Sequence, residues 1–334
     1  MENSALINIL SSPKRIVIVC HKNPDGDAMG SSLGLYHYLT LKGHHAMVIT
    51  PNEYPDFLDW LPGNETVKNA KDIPQFAKDR IAEAEIIFCL DFNTLSRIDQ
   101  LATPVEQSAA YKVLIDHHQQ PQQFDFMWHR VEASSTCQLV FEFIEMLGDK
   151  ALVNKDIASC LYTGIMTDTG SFRFPSTVAK VHRIIADLID AGAENSVIHR
   201  NVFSAYTESR LKLLGYCISE RLTVIPEKAT AYISLSKDEL KKFGFVPGDT
   251  EGIVNYPLDI KGIKLSAIFI EREDGVKISF RSVGQFSVNQ FSRAHFGGGG
   301  HDNAAGGQST LSLQQTVEKF VTLLDSYAQD IINS

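Results

Sequence analysis

Three short apolar runs in this chain end in the same way, and that repetition constrains the fold more than any other feature. Arg15-Ile-Val-Ile-Val-Cys20 leads into His21, Asp25 and Asp27; Glu85-Ile-Ile-Phe-Cys-Leu90 leads into Asp91; Tyr111-Lys-Val-Leu-Ile115 leads into Asp116-His117-His118. Each run has the length and apolar continuity of a strand buried on both faces. His45-Ala-Met-Val-Ile-Thr50 reads as a further strand. Between these runs lie helical patterns. One covers residues 28–39 and closes near Gly43; a second starts at about Thr136, with Ser134 or Ser135 as N-cap and Gly148 as its stop; a third is capped by Asn154 and runs through Ile165. Strands alternating with helices predict an α/β fold with a mostly parallel sheet covered on both faces.

Open α/β sheets bind ligands outside the carboxyl ends of their strands. Here those ends deliver Asp and His side chains to one edge, and so many carboxylates would repel one another without a cation. Asp and His also cap helices and form turns. That accounts for one or two of them, not for every strand end. In His21-Lys-Asn-Pro-Asp-Gly-Asp27, Pro24 and Gly26 predict an irregular turn that folds His21, Asp25 and Asp27 toward one centre. Carboxylates with imidazole favour Mn²⁺, Mg²⁺, Fe²⁺ or Zn²⁺ over thiolate-loving ions. Carboxylate-rich sites of this size commonly hold two ions with one Asp between them.

A chain of 334 residues is long for one core, so two domains are expected. Residues 176–221 read as helical, with Gly192 as a break. From Leu222 onward the pattern changes. Residues 229–235 form a strand signal, Ile263–Ile270 and Val276–Phe280 flank the hairpin signal Arg272-Glu-Asp-Gly275, and helices are expected over 286–295 and after Leu313. This gives a metal-binding domain over 1–190, a helical linker over 191–221 and a smaller α/β domain over 222–334.

The net charge is -9 and no basic run is present. A protein that grips long nucleic acid by counterion release carries a broad basic surface, so long DNA or RNA is disfavoured. The five cysteines are scattered, with no C-x-x-C pair, which suits a reducing compartment. No secretory signal or transmembrane-length apolar run is legible, so a cytoplasmic protein without a membrane partner is expected.

These motifs resemble the DHH phosphoesterase superfamily, and within it the group of bacterial nanoRNA phosphodiesterases and 3'-phosphoadenosine-5'-phosphate phosphatases. The likeness runs over nearly the whole chain. It rests on His21, Asp25 and Asp27, on Asp91, on Asp116-His117-His118 and on Asp168. In the second half it rests on Glu251-Gly-Ile-Val-Asn255, Ser279-Phe-Arg-Ser282 and Gly297-Gly-Gly-Gly-His301. The resemblance implies that the first domain is catalytic and the second binds substrate, facing it across a cleft, with one divalent ion held by His21, Asp25 and Asp91, and a second held by Asp27, Asp91, His117 and Asp168. Mn²⁺ is the first choice, with Mg²⁺ or Fe²⁺ as alternatives. Asp116 would orient the metal-site histidines. His118 would protonate the leaving oxygen or stabilise its charge, with a further metal ligand or a structural histidine as the competing role.

The glycine run offers backbone N–H groups to an anion at Gly298, Gly299 and Gly300. His301 adds a side-chain donor, and Arg281 a charged fork. Arg97 is a further candidate phosphate contact, and Arg173 a structural clamp. No G-x-G-x-x-G follows the first strand, so a dinucleotide fold is excluded.

The expected partners are short RNA oligonucleotides and small nucleotides, and a homodimer is left open. Cleavage of linear or cyclic di-AMP and a RecJ-type single-strand exonuclease remain as alternatives, with a non-catalytic nucleotide sensor as the non-enzymatic one. An inorganic pyrophosphatase would lack the glycine-His signature.

Overall fold

The computed structural model describes residues 2–204, 207–246 and 248–334. The chain divides into two compact units, residues 1–205 and 206–334. The first unit carries the strands β1 (Arg15–Cys20), β2 (His45–Thr50), β3 (Lys68–Asn69), β4 (Ile86–Leu90), β5 (Tyr111–Asp116) and β6 (Phe126–His129). Its helices are α1 (Glu2–Ile9), α2 (Gly26–Leu41), α3 (Pro74–Glu83), α4 (Ala102–Gln107), α5 (Thr136–Met146), α6 (Lys155–Asp168), α7 (Ala179–Asp190) and α8 (Asn195–Phe203). The strands form one sheet in the order β3-β2-β1-β4-β5-β6, and every pair in it is parallel.

Burial on both faces explains the apolar continuity of the strands. All five residues of β4 are buried. Ile86, Phe88 and Leu90 pack on the side of α2, α5, α6 and α7, while Ile87 and Cys89 pack on the side of α3 and α4. Register then places the site. Cys20 pairs with Leu90, and Leu90 with Ile115. The residue after each is His21, Asp91 or Asp116, so the three emerge side by side at one edge. Strand order reverses between β1 and β4, where open α/β sheets form their ligand crevice.

Two features of this unit differ from the sequence expectation. Helix α2 begins at Gly26 with Asp25 as its N-cap, whose Oδ1 accepts from the backbone N–H groups of Asp27 and Ala28. Asp27 therefore lies in a helix, and the irregular turn is confined to the residues before Asp25. Helix α6 runs beyond Ile165 to Asp168, its last residue. The two helices cross closely because glycines line the contact. A Cβ on Gly30 would stand 2.5 Å from the Cys160 carbonyl oxygen, and one on Gly164 would stand 2.2 Å from Cys137 Sγ and 2.7 Å from Asp27 Oδ1. This crossing brings the start of α2 beside the end of α6.

The second unit carries α9 (Glu208–Tyr216), β7 (Leu222–Ile225), β8 (Thr230–Leu235), α10 (Lys237–Lys242), β9 (Leu265–Arg272), β10 (Gly275–Ser282), α11 (Val288–His295), β11 (Gly299–His301), β12 (Ala304–Ser309) and α12 (Leu313–Asn333). Its mixed sheet has the order β11-β12-β10-β9-β8-β7. An aromatic core of Phe269, Phe280, Phe291 and Phe320 fills one face. In the segment expected to link the domains, α8 buries Ile198 and Val202 in the core of the first unit, whereas α9 buries Leu213 in that of the second. All five cysteines are buried and free. Among the described residues no helix is long and apolar enough to cross a membrane.

Candidate metal centre

Asp91 sits at the middle of the site in an unusual backbone state. It follows β4 with φ +62 and is 2% exposed. A left-handed conformation at a non-glycine residue costs about 1 kcal/mol, and here the Asp91 N–H is fixed to the Ile115 carbonyl at 3.2 Å. The turn aims the two carboxylate oxygens in different directions. Oδ2 lies 3.4 Å from His21 Nε2, and Oδ1 lies 3.6 Å from His117 Nε2.

Each histidine anchors a separate group of donors. His21 Nε2 is also 3.7 Å from Asp25 Oδ2. His117 Nε2 is 3.8 Å from Asp27 Oδ2 and 3.3 Å from Asp168 Oδ2. Two donors about 2.1 Å from one ion stand about 3.0 to 3.4 Å apart. The observed spacings run from within that range to just above it, 3.3 to 3.8 Å, so small adjustments would bring each group onto a cation. The tautomers fit as well. His21 Nδ1 donates to the Lys22 carbonyl at 2.8 Å and His117 Nδ1 to the Ala133 carbonyl at 3.1 Å, which leaves Nε2 as the lone-pair nitrogen in each ring.

The proton affinities report the same demand for positive charge. Burial pulls His21 down, but the Asp25 and Asp91 carboxylates outweigh it and hold the imidazole at about 10. His117 is likewise raised against its burial by Asp168, Asp27 and Asp91. Burial together with Asp91 and Asp168 raises Asp27 well above the usual carboxylate range, and burial raises Asp168. Protons on these groups neutralise the cluster, and a pair of divalent cations would neutralise it in their place. Asp25 and Asp168 keep 52% and 24% of their side-chain surface in solvent, so the donor set opens to solvent on their side.

The remaining candidates divide. Asp116 is fully buried and its Oδ1 accepts from His118 Nδ1 at 2.7 Å. It therefore orients His118 rather than His117, whose Nδ1 is taken by Ala133. Arg97 is half-buried in the segment after β4, and its carbonyl accepts the Lys22 N–H at 2.8 Å. Its backbone braces the His21 loop, and among the described residues no side-chain contact ties it to the donors. Arg173 Nε donates to the Gly170 carbonyl at 2.8 Å, a clamp on the end of α6.

In the second unit, Arg281 pairs with Ala304 across β10 and β12, and Ala304 pairs with His301 across β12 and β11. Directly opposed residues share a face, so Arg281 and His301 flank Ala304 on the side of the sheet away from Phe280. The glycine run is not an open loop. Gly299 and Gly300 lie in β11, a Cβ on Gly298 would meet the Gly306 carbonyl oxygen at 1.9 Å, and the Gly300 N–H goes to Asn289 Oδ1 at 3.2 Å. Tight hairpin packing thus explains Gly298 and Gly300.

One group was not legible as functional in the sequence. Thr136 N–H and Cys137 N–H, at the start of α5, bind Asp27 Oδ2 and Oδ1 at 2.6 and 2.8 Å, and the Thr136 hydroxyl donates to Asp91 Oδ1 at 2.9 Å. The cap signal at Ser135 was visible, but nothing local pointed to partners 109 and 45 positions away.

Comparison with known proteins agrees with this geometry. The model of the DHH family, N-terminal domain, matches residues 15–165, and that of the DHHA1 domain matches residues 228–330. The bifunctional oligoribonuclease and PAP phosphatase NrnA of Thermus thermophilus is 32% identical over 307 residues, covering 91% of this chain and 87% of that protein. A crystal structure of an exopolyphosphatase-related protein from Bacteroides fragilis superposes with a TM-score of 0.95 at 40% identity, covering 99% of this chain and 97% of that one. RecJ of Thermus thermophilus, solved in complex with Mn²⁺, shares the fold at a TM-score of 0.52 and 13% identity, covering 98% of this chain and 54% of that one.

Proposed function

As a member of the DHH family of phosphoesterases with a C-terminal DHHA1 domain, this chain is a metal-dependent hydrolase of phosphate esters, and we propose that it releases 5'-mononucleotides from short oligoribonucleotides and phosphate from 3'-phosphoadenosine-5'-phosphate, with Mn²⁺ as its ion. The observation that carries this reading is the division of Asp91 between two histidines, Oδ2 toward His21 and Oδ1 toward His117. The Thermus relative bears both substrate activities in its name, and the oxygen-and-imidazole donor set suits Mn²⁺.

His21, Asp25 and Asp91 would hold one ion, and Asp27, Asp91, His117 and Asp168 the other. Bound there, the pair supplies Lewis-acid polarisation of the phosphoryl oxygens and an acidified water for in-line attack. The chain's own residues set the geometry and move the proton. The carbonyls of Lys22 and Ala133 keep His21 and His117 in the ligating tautomer. The Asp116 carboxylate accepts from His118 Nδ1 and fixes the ring, which leaves Nε2 as the nitrogen that would pass a proton to the leaving oxygen. Arg281 and His301 would contact a phosphate other than the one that reacts.

The net charge of -9 leaves long strands without an electrostatic track. A kinetic panel at one Mn²⁺ concentration tests the proposal. It compares 3'-phosphoadenosine-5'-phosphate, RNAs of two to five nucleotides, a long single strand, linear di-AMP and linear polyphosphate, with Asp91→Ala as the inactive control. Fastest turnover on the long strand or on polyphosphate would reject it, and no turnover on any substrate would favour a nucleotide sensor.

A further inference from the structure

One short segment, residues 129–137, touches five of the site residues: Asp27, Asp91, Asp116, His117 and His118. The His129 ring donates from Nε2 to the His118 carbonyl at 2.6 Å, Ala133 accepts from His117 Nδ1, and the N–H groups of Thr136 and Cys137 bind Asp27. The segment is itself anchored. Ser134 donates its N–H and hydroxyl to Gln138 Oε1 at 2.7 and 2.9 Å, and Gln138 Nε2 donates to Glu142 at 2.8 Å. Glu142, buried in α5, also pairs with Arg130 and Lys180.

Within this segment the Thr136 hydroxyl has a distinct place. It is fully buried and donates to Asp91 Oδ1 at 2.9 Å. That oxygen faces His117, while its partner oxygen faces His21. The hydroxyl occupies one lone pair of Oδ1 and fixes the rotation of the carboxylate about its χ2 bond. Without it, a buried carboxylate that must serve two ions is free to turn toward one of them. The two backbone bonds to Asp27 hold a neighbouring donor by a separate route, because they survive any change to the side chain.

We infer that Thr136 is a positioning residue whose hydroxyl holds Asp91 in the orientation that bridges the two metal positions. The inference rests on the two-ion reading of the site. It says how this chain makes the ions a coupled pair, and it assigns Thr136 no contact with substrate.

The test uses the full-length protein stripped of metal, with Thr136→Val and Thr136→Ser. Valine keeps the shape and the backbone bonds but removes the hydroxyl; serine restores it. Mn²⁺ titration by calorimetry reads occupancy and affinity. Electron paramagnetic resonance of the loaded protein reads whether the two ions are exchange-coupled through a bridge, a signal that general loss of stability does not mimic. Removing the orienting hydroxyl should weaken the weaker Mn²⁺ site of Thr136→Val about 10- to 100-fold and replace the coupled spectrum with that of isolated ions. Thr136→Ser should recover both. Circular dichroism of the metal-free variants checks folding, and if the valine variant does not fold, a serine variant that loads and couples like wild type still tests the hydroxyl against the methyl. A Thr136→Val protein with wild-type affinities and a coupled spectrum overturns the inference and leaves the functional reading standing. A wild type that binds one ion per chain overturns both. A wild type that binds a coupled pair yet turns over none of the proposed substrates rejects the functional reading alone.

Discussion

The Nδ1 of His118 lies 2.7 Å from Oδ1 of Asp116, the last residue of β5. His118 also lies near Asp91, its Nδ1 3.7 Å from Oδ1, but only the contact to Asp116 has hydrogen-bond length, and its carboxylate acceptor places a proton on Nδ1. Asp116→Asn replaces a carboxylate that can only accept with an amide that can also donate, so the ring loses its fixed tautomer and orientation. Since the Asp116 carboxylate bonds to His118 and only lies near Asp91 without a hydrogen bond to it, Mn²⁺ affinity should stay within about twofold while kcat falls about 10- to 100-fold. Calorimetric titration beside steady-state kinetics checks this. Loss of Mn²⁺ binding in step with kcat would make Asp116 part of the ion-holding set.

Gly164 faces the α2 crossing with no room for a methyl group. Its Cβ would stand 2.2 Å from Cys137 Sγ, 2.7 Å from Asp27 Oδ1 and 2.9 Å from Asp27 Cα. Overpacking of this kind costs about 1 to 3 kcal/mol, and here the atoms displaced belong to Asp27, a proposed metal donor. Gly164→Ala should therefore lower both the thermal midpoint and the Mn²⁺ affinity. Gly192→Ala, strained in the backbone at φ +108 but with no neighbour nearer than 3.3 Å, should lower only the first. Equal Mn²⁺ affinity in the two variants would reject the crossing as the determinant of Asp27 placement.

Much of this fold was legible because a buried parallel sheet writes itself as apolar runs. The bounds of β1 and β2 and the caps Ser135 and Asn154 follow from two-sided burial and from unpaired helix N–H groups, both local effects. What escaped depends on partners far along the chain. Pro24 and Gly26 read locally as a turn, yet the chain turns into α2 one residue before Asp27, and the glycines at 26, 30 and 34 that let α2 approach α6 have no visible partner in sequence. In the glycine run, composition does not reveal that Gly298 backs onto Gly306, so the packing role of these glycines was hidden. The Thr136 contact joins residues 45 positions apart, and only the packing of α5 on the sheet brings them together.

Substrate length follows from charge. With a net charge of -9, the cost of bringing successive phosphates onto the protein rises with each one added. Turnover should be fastest on RNAs of roughly two to five nucleotides and fall on longer strands, and raising the salt from about 50 to 200 mM should weaken binding by much less than the thousandfold or more typical of proteins that make six or more phosphate contacts. A long single strand degraded as fast as a trinucleotide, with a steep salt dependence, would mark an exonuclease of the RecJ type.

Acid should loosen the second unit through Glu239. Burial raises this carboxyl, but the Ser236 N–H and hydroxyl of its capping box, the Tyr216 hydroxyl and Arg221 outweigh that and lower it from 4.5 to about 2. A carboxylate lowered on folding stabilises fully above its unfolded value and loses that contribution as pH falls through its folded value. The window here runs from pH 4.5 down to about 2. Glu239→Gln should cost about 1 to 3 kcal/mol at neutral pH, read as faster hydrogen exchange in α10 and β8, and the gap to wild type should close across that window. A gap of constant size from pH 7 to 2.5 would show that the charge is not its source.

Binding and chemistry should separate between Arg281 and His301 on one side and His118 on the other. Arg281 and His301 share a face of the second sheet and flank Ala304, whereas His118 belongs with Asp91 and Asp116. If the first pair grips a phosphate that does not react, Arg281→Ala loses a charge-assisted contact of about 1.5 to 3 kcal/mol, or about ten- to a hundredfold in kcat/KM on 3'-phosphoadenosine-5'-phosphate. Most of that loss should sit in KM, although remote binding energy also positions the reacting group, so a smaller fall in kcat is compatible. His301→Ala should behave alike. Bis-p-nitrophenyl phosphate has no second phosphate to hold, so both variants should hydrolyse it at close to the wild-type rate, while His118→Ala loses activity on both substrates. If Arg281→Ala and His301→Ala abolish hydrolysis of the small diester as completely as His118→Ala does, the two residues act on the reacting phosphate itself and the division of labour is wrong.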